Sequence, residues 1–476
     1  MHSEITNLKR WLILVNVSVA TFMATLDGSI VNIALPSISQ NFKVSLGTIQ
    51  WVVTAYLITI SVLLLVWGKL SDMYGKRNIF AFGFIMFTFG SALCGFSQSL
   101  EMLVVARVLQ AIGASATMAL SQGIVASVFP PEKRGKALGI TGTMVALGSL
   151  VGPSLGGVLV HVAGWQSIFF INLPIGVVGT ILTFTILPEI FERQTDKRFD
   201  FKGTLLFSTS LLLMFVGLLF VQQGTLPMRY FTPILVVAVS AAILFVLVER
   251  KVQNPLIRLE IFKKREFSSG LASAFLSFVA LSSTLLFLPF YLQNILKLNP
   301  LNAGLLISFY PITTMIVAPI SGWLSDKISY RPLTVTGMTI CTLILFFMTT
   351  FNTTTSYVVI ALCNIMLGVG IALFMSPNNS SVMGSVPKAQ LGVAGGINAL
   401  FRTLGMVSGS AFSLLIFSFV TALGVNALSI NSSSLETGSF LKGFHAVLIF
   451  DAICCLIAAI VNVSRAVAFR PKKIEV

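Results

Sequence analysis

Asp27 and Arg107 are charges set deep in apolar sequence, and their types suggest proton or ion chemistry. Between Trp11 and Leu35 the only ionisable side chain is Asp27. A carboxylate in such a stretch, if the stretch crosses a bilayer, is expensive to desolvate and marks a proton site, an ion or substrate site, or a buried pair. Counted from the outer ends of their helices, Asp27 lies eight residues in and Arg107 about six, which at about 1.5 Å per residue gives depths of roughly 12 and 9 Å. The two can therefore meet, either as a permanent salt bridge or as a pair whose arrangement sets how firmly a proton is held. Asn32 follows Asp27 by five residues, about 140° around a helix, so the two cannot both point directly into one cavity. Asn32 either bonds a neighbouring helix or lines the pathway. Gln110, Tyr56, Tyr310 and Arg402, all inside apolar stretches, complete the candidate lining of a substrate cavity. Asp451 is a second acid within an apolar stretch, the last one. Glu101, His161 and His445 fall near stretch ends and read as interfacial polar residues.

The elements that position these groups follow from composition. Of 476 residues, 55% are hydrophobic and 10% charged, with a mean hydropathy of +0.93, far too apolar for a soluble domain of this length. The chain is an all-α integral membrane protein, and the lipid bilayer is its first partner. A formal charge of +15 would suit nucleic acid only if the basic residues formed a patch on a soluble surface, and here they sit in short segments between apolar runs. The five cysteines lie within apolar runs with no disulfide or metal-ligand spacing, so no metal is expected. The first apolar stretch is too long for a signal peptide and is expected to be retained.

A crossing helix needs about 20 apolar residues, which divides the sequence into fourteen spans. With both termini cytoplasmic, 25 of the 31 Lys and Arg fall on inner segments, and Lys43, Arg229, Lys297 and Lys442 fall on outer ones. The positive-inside rule thus supports the division, because an odd error in span number would move every later loop to the other side. The second and third spans are joined by "GKLSDMYGKR" (68–77) and the tenth and eleventh by "GWLSDKISYR" (322–331), with Gly, Leu, Ser, Asp and Arg recurring at an offset of 254. Both copies face the same side, so the chain is a parallel repeat of two six-helix bundles. The expected division is 1–200 for the first bundle, 201–260 for two inserted helices, and 261–476 for the second bundle.

Two stretches have physical readings of their own. In "GSLVGPSLGG", Gly148, Gly152, Gly156 and Gly157 give a small-residue face that another helix backbone can approach closely, and Pro153 favours a bend. In the loop, Asp72 can complement the positive start of the following helix and pair with Arg77 or with the other bundle. With these stretches, "RVLQAIGA" (107–114), "GWQSIFFINLPIG" (164–176) and "LDGSIVNIALP" (26–36), the chain resembles a major facilitator superfamily transporter of the fourteen-span drug:proton antiporter branch. The resemblance implies a bacterial cytoplasmic membrane protein, working as a monomer on a proton gradient without a cofactor, that exports hydrophobic, cationic or zwitterionic drugs. It implies that Gly68, Asp72, Gly75 and Arg77 form a conformational latch with a weaker copy at Asp326 and Arg331. It implies also that the glycine face meets the second bundle and seals a leak path.

A dedicated exporter of one physiological compound, such as a lipid precursor, siderophore or amino acid, is the alternative. A membrane enzyme would need clustered carboxylates or a metal site at one membrane face, and neither is in the sequence. An ATP-driven pump would need a G-x-x-x-x-G-K-[ST] loop, also missing.

Overall fold

The structure is a computed structural model that describes residues 6–44, 46–49, 51–189, 199–222, 228–252, 255–298, 300–421 and 437–465. Apolar segments crossing lipid must satisfy their backbone groups internally, and the described residues are accordingly helices joined by short turns and connections. The first bundle comprises α1 (Asn7–Phe42), a short α2 (Leu46–Ile49), α3 (Trp51–Tyr74), α4 (Lys76–Gly95), α5 (Leu100–Val128), α6 (Pro131–Ala163), a short α7 (Ser167–Phe170) and α8 (Asn172–Ile186). Two helices follow, α9 (Phe201–Gln222) and α10 (Met228–Glu249). The second bundle holds α11 (Arg265–Phe290), α12 (Pro300–Ile328), α13 (Tyr330–Met348), α14 (Tyr357–Gly384), α15 (Leu391–Thr421) and α16 (Thr437–Val463). Among the described residues, thirteen helices are long and apolar enough to cross a membrane, and Phe201–Gly217 is a shorter apolar one.

The repeat seen in the two loop motifs extends to the packing. α1 packs on α5, α6 and α8, as α11 packs on α14, α15 and α16; α4 packs on α5 and α8, as α13 packs on α14 and α16. α9 and α10 pack on each other, and α9 touches α3 and α15.

The bundles meet through α3 with α15 and α6 with α12, again a symmetric pair. Among the described residues, every hydrogen bond between bundles lies in the half nearer the chain termini, the deepest being Thr143 Oγ1 to the Met315 carbonyl at 3.0 Å. The conformation is thus sealed at the end that carries both termini.

Glycine makes the seal possible. A Cβ at Gly68 would lie 2.7 Å from the carbonyl oxygen of Gly392, and one at Gly139 would lie 2.6 Å from that of Ala318. Gly135 and Gly322 are closer still. Asp72 then accepts from the Gly392 and Val393 N–H groups at 3.0 and 2.9 Å, in the free first turn of α15. Asp326 accepts from the Gly135 and Lys136 N–H groups of α6 at 2.8 and 3.0 Å.

Three expectations change here. Asp72 complements the start of a helix in the other bundle, not of the one that follows it. Asp326 makes a clasp of the same form as that of Asp72, where a weaker copy was expected. Arg77 pairs with exposed Glu189 at 3.4 Å, and Arg331 donates to the Val463 carbonyl, so neither arginine touches its clasp aspartate. Gly75 caps α4 at φ 93°, a conformation natural to glycine, and Ser329 occupies the equivalent place at φ 121°.

The glycine face of α6 also changes partner. A Cβ at Gly148 would lie 2.5 Å from Thr25 Oγ1 and one at Gly156 2.6 Å from Ile30 Cγ1, while Gly152 abuts Ser29. These three pack against α1 inside the first bundle, and Gly157 has nothing within 4 Å. The contact with the second bundle is made instead by Gly135, Gly139 and Gly142. Gly139 and Gly148 are nine residues apart, which at about 100° per residue puts them on opposite faces of α6. Pro153 lies within α6 but its side chain is outside the described residues.

A direct prediction follows from this packing. Gly152→Leu must part α1 from α6 and should cost about 1–3 kcal/mol of stability as an overpacked site, while Gly157→Leu should be tolerated. Thermal unfolding of the two variants in detergent checks this, and equal midpoints would refute the assigned face.

Candidate functional site

Five helices of the first bundle converge on Asp27, which is fully buried. Its Oδ2 accepts from Arg107 Nη1 at 2.6 Å, and its Oδ1 accepts from Gln110 Nε2 at 2.8 Å and Asn172 Nδ2 at 3.2 Å. Arg107 and Gln110 are three residues apart on α5, hence on one face, and they also bond each other. Arg107 Nε donates to the Val52 carbonyl of α3 at 3.2 Å, and its guanidinium lies 3.9 Å from the centre of the Tyr56 ring. Ser91 of α4 accepts a second bond from Gln110 at 2.7 Å.

The cage is therefore asymmetric. Asp27 receives three donors and Arg107 is satisfied by a carboxylate, a backbone carbonyl, an amide oxygen and an aromatic face. A charge pair removed from water is sustained only when its remaining polar atoms are also satisfied, and breaking it leaves an uncompensated charge. Two atoms of the cage lack a hydrogen-bond partner, the Tyr56 hydroxyl and Asn172 Oδ1. The phenol can donate or accept a hydrogen bond, and the amide oxygen can only accept one.

Of the residues singled out from sequence, Asp27, Arg107, Gln110 and Tyr56 come together. Gln110 and Tyr56, expected along a substrate cavity, belong to the buried cage. Tyr310 lies elsewhere, beside Asn364 and Cys341 at a small cavity inside the second bundle. Asn32 is exposed. Arg402 reaches a different cavity, between the bundles, lined by Thr25, Gln122, Thr141 and Asn379 among others. Asp451 is fully buried on α16, accepting from Thr284 Oγ1 at 3.1 Å with Oδ1 unpartnered. Asn172 and Ser91 were not singled out; the signal for both is a polar side chain within an apolar helix, which names the residue and not its facing.

Two repeated helical bundles, clasped at one end, with a cavity between them and a caged ion pair in one of them, define a two-bundle membrane transporter. The chain belongs to the Major Facilitator Superfamily, whose family model matches residues 17–410. It is 36% identical over 409 residues to a riboflavin transporter of Clostridioides difficile, covering 85% of this chain and 87% of that protein. It is 33% identical over 408 residues to the multidrug resistance protein Stp of Mycobacterium tuberculosis, covering 85% and 75% of the two chains. A tetracenomycin C resistance and export protein of Streptomyces glaucescens is 32% identical over 406 residues, covering 84% and 74%. Among solved structures, the human organic anion transporter MFSD10 shares the fold at a TM-score of 0.69 and 15% identity over 95% of this chain and 99% of that one. The proton:xylose symporter XylE shares it at 0.66 and 16% over 95% of each chain.

Proposed function

We propose that this transporter exports hydrophobic organic compounds from bacterial cells in exchange for protons, by alternating access, with both termini in the cytoplasm. The observation that carries the reading is the buried Asp27, an acid held by Arg107, Gln110 and Asn172 in the core of the first bundle. Protonation of Asp27 would release Arg107 from its only carboxylate partner and loosen α1 from α5. Deprotonation would restore the clamp. α1 also forms a wall of the cavity between the bundles, through Thr21 and Thr25. Movement of one helix would therefore reach both the proton site and the cavity. Export proteins among the relatives and the excess of Lys and Arg on the terminus-bearing side support direction and orientation respectively.

A second reading, transport of a single physiological compound, is favoured by the similarity to a riboflavin transporter. Purified protein in liposomes, given a pH gradient and no ATP, tests the coupling. Substrate movement that follows the gradient and collapses with a protonophore is the expected result; movement indifferent to the gradient refutes it. A panel of unrelated compounds separates the two substrate readings.

A further inference from the structure

The cavity between the bundles has a charge character that the ion-pair cage does not share. It lies just beyond the seal, with Arg402 eleven residues into α15, about 16 Å from the start of that helix. α1, α5 and α6 supply one wall, and α14 and α15 the other. Arg402 forms no salt bridge among the described residues, where the only ion pairs are Arg77 with Glu189 and Arg107 with Asp27. Its guanidinium carbon lies 5.9 Å from the centre of the Phe278 ring. No carboxylate lines the cavity. Asp27 is fully buried in the cage, bonded to Arg107, Gln110 and Asn172, and is not among the residues that line the cavity.

The amides around Arg402 are oriented by Asn398. Its Nδ2 donates to Gln122 Oε1 at 2.6 Å and to Asn379 Oδ1 at 2.9 Å, bridging the two bundles. With both acceptor oxygens engaged, the NH2 groups of Gln122 and Asn379 remain as donors, and both residues line the cavity with Arg402. The cavity therefore presents an unpaired cation and two amide donors beside the flexible thioethers of Met118 and Met375.

We infer that this cavity, about 40 Å³ in the sealed conformation, takes the anionic group of an apolar compound, such as an aromatic carboxylate or the carboxylate end of a zwitterion, on Arg402 and the amide donors, the apolar body needing the wider space that opens when the bundles part. The observation is an unpaired guanidinium in an interbundle cavity whose lining offers donors and no acid. The inference rests on the export reading above and narrows its substrate class. Of the charge types expected from sequence, the zwitterion has a group for Arg402 and the simple monocation has none.

The test uses radiolabelled 1-naphthoate and 1-naphthylmethylammonium, which share one apolar body, in proteoliposomes under an imposed pH gradient. The wild type should move the carboxylate in preference to the ammonium. Arg402→Gln should reduce that preference by about tenfold, the scale of a lost charge-assisted contact, and Arg402→Lys should retain most of it. A general fall in which both probes drop equally in Arg402→Gln would mean a structural role and overturn the inference. Preference of the wild type for the ammonium overturns it too, while leaving proton-coupled export standing. Movement of neither probe, with no proton flux, overturns both.

Discussion

Asp27→Asn is expected to abolish transport driven by a pH gradient while leaving substrate binding in place. Asparagine keeps an oxygen for Arg107 or Gln110 and nearly the same volume, so the cage loses its titrating group and little of its packing. Binding persists because Asp27 is buried in the cage and does not line the cavity. Arg107→Leu is a poorer probe: it strands a buried carboxylate, at a cost of about 3–5 kcal/mol, and loss of folding would mask any change in coupling. Proton release on adding substrate to detergent-purified protein decides the matter. If Asp27→Asn still releases protons and transports against a gradient, coupling lies elsewhere, and Asp451 is the next acid to replace.

The second large effect belongs to the seal. Gly68→Leu would press a side chain into the Gly392 carbonyl, and the contact exists only while the terminus-bearing end is closed. At about 1–3 kcal/mol for an overpacked site, paid in the sealed state alone, the population should move about tenfold or more toward the opposite state. Spin labels at Tyr74, the end of α3, and Lys388, three residues before α15, report it by their separation. Transport should fall severely although the protein remains folded. An unchanged distance distribution with unchanged transport would show that the approach of α3 to α15 is not what holds this end shut.

Much of this was legible in sequence where a residue is anomalous for its surroundings. Asp27 and Arg107 stand out because a charge in an apolar helix needs a partner, and equal depth limits the choices. The two-bundle repeat is legible because its loop copies share five residues at one offset. Helix facing was harder. α6 carries two glycine sets on opposite faces, and small residues announce close approach without naming the neighbour, so Gly148, Gly152 and Gly156 were matched to the second bundle when their neighbour is α1. Asp72 pairs with the other bundle, one of the two partners open to it from sequence, but the N–H groups that satisfy it lie 320 residues on, at Gly392 and Val393, and nothing local singles them out. Gln110 was separable in principle, since its spacing from Arg107 already puts it on the arginine's face.

The clasps bind main chain, and this affects how the gate tolerates mutation. Asp72 and Asp326 each hold two peptide N–H groups, which no substitution other than proline removes. Each clasp thus has one carboxylate on one side and one obligatory glycine on the other, since a Cβ at Gly392 or Gly135 would lie 2.5 Å from the aspartate oxygen. The side chains of Val393 and Lys136 can drift with the bond intact. Correlated substitution between the halves would not reveal the pairing, because one partner has no side chain in the bond to vary. Because there are two such bonds, loss of either aspartate would leave the gate on its remaining hinge point, ajar more often but still able to shut.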